Sequence, residues 1–256
     1  MKYARFELGG RIAFGVLEEG ARYVREIYGT PFGDPGRPGA AHPLDGVKLL
    51  APCRPSKIFG LANNFRDHLH GAEPPREPQI FLKVPSAVID PAETIILPRD
   101  QGRVDEEAEL VVVMGKRCRG VSPEQAMRYV LGYTCGNDVS ARVWQKNDLN
   151  WWRAKSSDTF APIGPWIATD LDPAGVSIVA RINGSEVQRC SPRDLIFGIP
   201  VLISWIARAV TLEPGDLIFT GTSGAPAELH PGDEVEVEID GIGILRNPVA
   251  QGLSLP

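Results

Sequence analysis

Three short stretches in which apolar and polar residues alternate open the chain: KYARFEL, RIAFGVL and ARYVREI. Successive side chains of a strand face opposite ways, so this alternation predicts half-buried strands. Gly9-Gly10 and Glu19-Gly20 separate them, and glycine readily takes the positive φ that tight hairpins need. Together they predict a small antiparallel unit over residues 1–50. A Gly- and Pro-rich stretch from Pro31 to Pro43 has no period and reads as a linker. It leads into a main body over residues 51–256, with the boundary near Leu44 to Ala51.

In that body KIFGLA and QIFLK predict further strands, and ELVVVMG is apolar almost throughout, as befits a strand covered on both faces. SIVARI closes through an Asn183-Gly184 turn. DEVEVEI alternates strictly and turns at Asp240-Gly241 into IGILRNPV, a strong hairpin pattern. Two helices are expected. In SPEQAMRYVL, Ser122 is placed as N-cap, Pro123 in the first turn, Gln125 at the capping-box position and Gly132 as the stop. The other runs from Pro200 to Ala209, is apolar on most sides and must be buried. Many strands, two helices and 23 prolines predict a mainly β (α+β) fold, a mixed roll or sandwich rather than an alternating parallel sheet.

Composition narrows the function. A chain of 256 residues can bury one sizeable core, or a core and a small appendage. Its net charge of -5 is spread along the sequence, with no basic stripe to meet nucleic acid. The longest apolar run, around Ile196 to Val210, contains Pro200, Ser204 and Arg208 and is too short to span a bilayer. Cys53, Cys118, Cys135 and Cys190 form no CxxC pair, and the amino terminus lacks an apolar signal core, so a reduced, cytoplasmic protein is expected. Four histidines and no paired cysteines argue against structural zinc. Any metal should be hard and oxygen-bound.

Four segments could carry chemistry. Asp105-Glu106-Glu107-Ala108-Glu109 leads into the apolar strand, where Glu107 and Glu109 share a face; the plainer reading is a solvated strand end. Asp138 sits in the otherwise uncharged LGYTCGNDVSA, either as a metal ligand or as the cap of a helical turn beginning at Val139. Lys155 lies among Trp151, Trp152 and Phe160 with Asp158 three residues on; it either steadies developing negative charge or snorkels over an indole face. Histidines in Asn64-Phe65-Arg66-Asp67-His68-Leu69-His70, a loop after a strand, are candidate general bases.

In this order, NNFRDH, FLKVPSA, DEEAELVVVMGK, GNDVSAR, WWRAKSSDTFAPIGPW, LEPGDLIFTGTSGAP and PGDEVEVEIDGIGILRNPV resemble the fumarylacetoacetate hydrolase family, from about Lys57 to Val249. The likeness extends to its acylpyruvases, to the isomerases and decarboxylases of the homoprotocatechuate pathway and to its oxaloacetate-acting members. It implies a mixed β-roll behind a small amino-terminal domain, usually as a homodimer. It also implies that Glu107, Glu109 and Asp138 bind Mg2+, with Mn2+ or Ca2+ as substitutes, that Lys155 polarises the substrate oxygen and that Thr222 lines the pocket.

There are departures. His68 holds the place of the family histidine, but the third residue after it is Gly71 instead of glutamate; His70 does have Glu73 at that spacing. Phe65 replaces the family tyrosine, and Ser156 replaces the glycine after the lysine. The implied chemistry is a metal-chelated enolate of a small 2-oxo acid, first as carbon-carbon hydrolysis of an acylpyruvate or fumarylacetoacetate-like substrate. Isomerisation, tautomerisation or decarboxylation of an unsaturated 2-oxo diacid or oxaloacetate in aromatic catabolism comes second. A metal-stabilised binding protein without turnover is the remote third. Arg66, Arg76, Lys83, Gln145 and Lys146 are the residues expected to meet a distal carboxylate.

Overall fold

A computed structural model of the chain describes residues 1–18, 20–99 and 102–252. Glu19 of the second expected turn, and the last four residues of the expected main body, lie outside the described residues. The chain opens with β1 (Lys2–Leu8), β2 (Arg11–Leu17), β3 (Tyr23–Ile27), β4 (Pro38–Pro43) and β5 (Lys48–Leu50). The first three are the alternating stretches, paired antiparallel in sequence order. The stretch expected as a linker is strand at its end: β4 pairs with β3 through Val24↔His42 and Arg25↔Ala41. It escapes a periodicity reading because β4 is an edge strand of its sheet, where proline is tolerated and no alternation is demanded.

Next come β6 (Ile58–Ala62), β7 (Gln79–Lys83), β8 (Val88–Ile89), β9 (Ile95–Leu97), β10 (Val104–Asp105) and β11 (Ala108–Met114). The short helix α1 (Pro123–Ala126) precedes β12 (Val130–Asn137) and β13 (Ser140–Ala141), which lead into α2 (Arg142–Asn147) and α3 (Trp152–Ser156). The chain continues with β14 (Ala161–Ala168), β15 (Ile178–Ile182), β16 (Ser185–Cys190), α4 (Ile199–Ala209), β17 (Leu217–Phe219), β18 (Glu234–Ile239) and β19 (Gly243–Gln251).

The helix expected over Ser122 to Leu131 is corrected to one α turn and a 3-10 turn, ending at Tyr129. Ser122 makes no side-chain cap, and Val130 already belongs to β12. Pairing with β11 overrides the local helical pattern. Gly132, expected as a helix stop, lies opposite Val113, and a Cβ on it would come within 2.3 Å of the Ala168 carbonyl oxygen. α2 and α3 had no signal in periodicity, being only 6 and 5 residues long.

One large sheet runs β4-β3-β2-β1-β14-β12-β11-β17-β6-β7, and a second runs β16-β15-β18-β19-β9. The amino-terminal strands continue the large sheet through Lys2↔Ala168 and Tyr3↔Ile167. β11 is buried along its whole length. Leu110, Val112 and Met114 pack toward the second sheet and α4, with Ile178, Val237 and Ile203 in the same cluster. Val111 and Val113 pack on the other side with Ile163, Leu217 and Phe219. This two-sided burial accounts for the unbroken apolar run. Among the described residues no helix is long and apolar enough to cross a membrane, and all four cysteines are free.

Candidate active site

The register of β11 on β12 assembles the acidic cluster. Ala108 faces Asn137 and Glu109 faces Gly136, so Asp138, just past β12, comes level with Glu107. The Asp138 N–H donates to the Glu107 carbonyl at 2.9 Å, and the Glu107 N–H donates to Asn137 Oδ1 at 3.0 Å. One carboxylate oxygen each from Glu107, Glu109 and Asp138 lies within 4.8 Å of the others, and all three residues are buried. The acidic run is therefore not a solvated strand end. Asp138 caps no helix either, since it sits between β12 and β13 and α2 starts only at Arg142.

Three cations converge on these acids. Lys155 Nζ lies 2.6 Å from both Glu107 Oε2 and Asp138 Oδ2. It is only 3% exposed, with its charge 4.8 Å from the Phe81 ring centroid. It does not snorkel, and Asp158 is exposed and takes no part. Lys83, expected to meet a distal carboxylate, is instead fully inside the cluster, with Nζ 2.5 Å from Asp138 Oδ1. β7 delivers it there, because alternation puts Phe81 and Lys83 on one face. Arg142 spans Asp105 and Glu107, each at 2.7 Å. Within GNDVSAR its role is not legible, because an arginine fork joining two acids 35 and 37 positions away leaves no mark on local spacing.

The charges respond unequally. Burial raises the Glu107 carboxyl, but Lys155 and Arg142 outweigh it and hold its pKa below the ordinary carboxylate range. Burial works against the Lys155 charge, yet Asp138 and Glu107 raise its pKa overall. Lys83 moves the other way: burial lowers it, Asp138 only partly compensates, and Lys155 adds to the fall. Glu109 is pushed well above its ordinary value by burial and then by Asp138 and Glu107. Glu106, also buried, is raised to about 7 by burial, while its oxygens accept the Ala108 and Ala227 N–H groups at 3.1 and 3.2 Å.

Beyond β17 the chain wraps over the cluster. Gly221, at φ +101°, presents its N–H to Glu109 Oε2 at 2.6 Å, and a Cβ there would come within 3.0 Å of Asn64 Cβ. Thr222 is buried, donates to the Ala108 carbonyl at 3.4 Å and accepts from Gln188 Nε2 at 2.9 Å. Gln188, on β16 of the second sheet, also donates to the Ser223 carbonyl. Ser223 Oγ in turn donates to Asp67 at 2.6 Å. Gln188 was not foreseen, since nothing in its own strand sets it apart.

A small cleft of about 50 Å3 opens on the cluster and is lined by His68, Gln145, Glu107, Lys155, Thr222 and Trp151 among others. His68 Nδ1 lies 2.7 Å from the Gly224 carbonyl oxygen. A carbonyl can only accept, so Nδ1 is protonated, and in the neutral ring Nε2 is the acceptor. Gln145 accepts from Arg142 at 3.0 Å. His70 is exposed, in left-handed backbone, its ring 5.9 Å from that of His68. Glu73 is exposed and pairs with neither histidine among the described residues, so no histidine–glutamate dyad is formed. Arg66, Arg76 and Lys146 are exposed and outside the cleft lining.

The donor set fits a hard divalent cation. It consists of carboxylate oxygens only, and Glu109 is a buried acid whose one hydrogen-bond donor among the described residues is a backbone N–H. Mg2+ and similar ions take such ligands and keep open positions.

Residues 57–250 match the family described as fumarylacetoacetate (FAA) hydrolase C-terminal, and residues 1–52 match that described as Rv2993c-like, N-terminal. The chain is 40% identical over 222 residues to the mitochondrial oxaloacetate tautomerase FAHD2A of Bos taurus, covering 81% of this chain and 71% of that one. A solved 5-carboxymethyl-2-hydroxymuconate delta-isomerase from Mycobacterium smegmatis superposes with a TM-score of 0.91 at 40% identity, over 98% of this chain and 100% of that one. The maleylpyruvate hydrolase from Sphingobium sp. SYK-6, solved with manganese(II) and pyruvate, gives 0.82 at 31% identity, over 99% and 100%. The chain belongs to the fumarylacetoacetate hydrolase family and is one of its enzymes.

Proposed function

We propose that this enzyme uses a divalent cation, Mg2+ in the first place, to shift a proton on a small 2-oxo acid, interconverting its keto and enol forms. Glu107, Glu109 and Asp138 would hold the ion, which when bound would supply positive charge to the oxygens of a 2-oxo acid. The observation that carries the reading is His68. Its Nδ1–H is committed to the Gly224 carbonyl, and among the described residues neither Nε2 nor Nδ1 meets a carboxylate. A single neutral imidazole suits proton transfer to and from carbon. Water activation for carbon-carbon hydrolysis is helped by a histidine–glutamate dyad, and among the described residues Glu73 pairs with neither histidine.

In this mechanism His68 Nε2 takes the proton from the carbon beside the keto group, and the Lys155 ammonium stabilises the charge that grows on oxygen. Arg142 and Lys83 hold Glu107 and Asp138 in place through their ion pairs. The relatives named as a tautomerase and an isomerase support the reading; the one named as a hydrolase marks its rival.

The test follows loss of enol absorbance of oxaloacetate, alongside cleavage of acetylpyruvate, with Mg2+ present. Wild type is expected to speed ketonisation without cleavage, and His68→Gln to lose about 10²–10⁴-fold of the rate. Cleavage as the faster reaction, or an unchanged rate in the variant, defeats the proposal.

A further inference from the structure

The seam between the amino-terminal strands and the catalytic body holds another cavity, of about 410 Å3, which shares no lining residue with the catalytic cleft. Arg5 lines it from β1, and Arg54 from the segment after β5. Arg5 is only 7% exposed, and its one hydrogen bond among the described residues runs from Nη1 to the Ala51 carbonyl at 3.2 Å. A guanidinium has five N–H donors. Neither arginine forms an ion pair among the described residues, although two acids line the same cavity.

Those acids are already engaged. Asp90 Oδ1 accepts the Ala51 N–H at 2.6 Å, and Glu93 Oε2 accepts the Asp90 N–H at 2.9 Å. Lys48 Nζ lies 3.9 Å from Asp90 Oδ2 and 3.8 Å from Glu93 Oε1. Burial works against the Arg5 charge and Arg54 repels it, with Asp90 and Cys53 offsetting part, so its pKa falls below the ordinary guanidinium value. A buried cation with unfilled donors, beside a second cation, is costly unless an anion completes it.

We propose that this cavity binds a small oxyanion, a carboxylate or phosphoryl group, between Arg5 and Arg54. Forked guanidinium donors match both groups. The site is independent of the metal cluster and joins strands from the two parts of the chain.

The experiment uses chelator-treated full-length protein at constant ionic strength, titrated separately with inorganic phosphate and with succinate, and read by calorimetry and thermal unfolding. Saturable binding of at least one is expected in wild type, and which one binds separates a phosphoryl from a carboxylate ligand. Arg54 is exposed and outside the core, so Arg54→Ala should fold, keep wild-type turnover when Mg2+ is restored, and bind about tenfold or more weakly. Arg54→Lys should fall between. Undiminished binding in Arg54→Ala, or no saturable binding in wild type up to about 20 mM, overturns the proposal.

Discussion

Glu109 differs from its neighbours in having no cation paired with it among the described residues. Glu107 has Lys155 and Arg142, and Asp138 has Lys155 and Lys83; Glu109 has the Gly221 N–H. Its raised pKa makes it the acid that most needs an added ion, and the sign of its effect on stability follows. The folded, metal-free protein keeps the Glu109 proton above the pH at which an unfolded glutamate, near 4.3, has lost it. Its contribution to stability therefore falls as pH rises from that value through the higher folded one. Glu109→Gln removes this part of the slope. At neutral pH the variant should be more stable than metal-free wild type, by about 1–3 kcal/mol, while losing Mn2+ binding measured by paramagnetic resonance. Denaturant melts at pH 5 and 8 check it; a variant less stable than metal-free wild type at pH 8 would contradict the charge assignment.

At the scale of elements, the site depends on two backbone arrangements that the sequence shows unequally. The shared face of Glu107 and Glu109 followed from strand alternation, but by itself it read as a solvated strand end, and only the resemblance implied metal ligands. The hairpins at Gly9-Gly10, Asn183-Gly184 and Asp240-Gly241 were legible from turn chemistry. Lys83 was not legible as a partner of Asp138, 55 positions away, because only the pairing of β6 with β7 and of β11 with β12 brings them together. β4, α2 and α3 were hidden for a different reason: each is too short or too poor in period to outweigh its proline, glycine or mixed composition. The loop after β17 belongs to this scale as well. Gly221 is required there twice, by its positive φ and by the approach of Asn64. Gly221→Ala should cost of order 1–3 kcal/mol in backbone strain and tilt its N–H off Glu109. Turnover should then fall by more than the lost fraction of folded protein explains, which is seen by comparing specific activity with unfolding curves.

At the scale of the molecule, the charged cluster is carried at the end of a strand whose apolar part is covered on both sides. One core cluster joins the large sheet to the second sheet and α4, and another runs along the opposite face of the large sheet, from β11 and β17 to β14 and the amino-terminal strands. Both are built from apolar side chains, so the fold is expected to stand without an ion, unlike a small metal-nucleated domain. A bound cation should act only by mass action on an already folded protein. At free Mg2+ a hundred times Kd the gain is about 2.7 kcal/mol, or roughly 5–10 °C in unfolding midpoint for a chain of this size. Chelation should remove that increment while leaving far-ultraviolet circular dichroism unchanged at 25 °C. The midpoint should rise with the logarithm of free Mg2+ in wild type and stay flat in Glu109→Gln, which separates ion binding at the cluster from general salt stabilisation. Unfolding of the wild type by chelator alone would mean that the cluster helps to hold the two sheets together, and that the core does not stand without it.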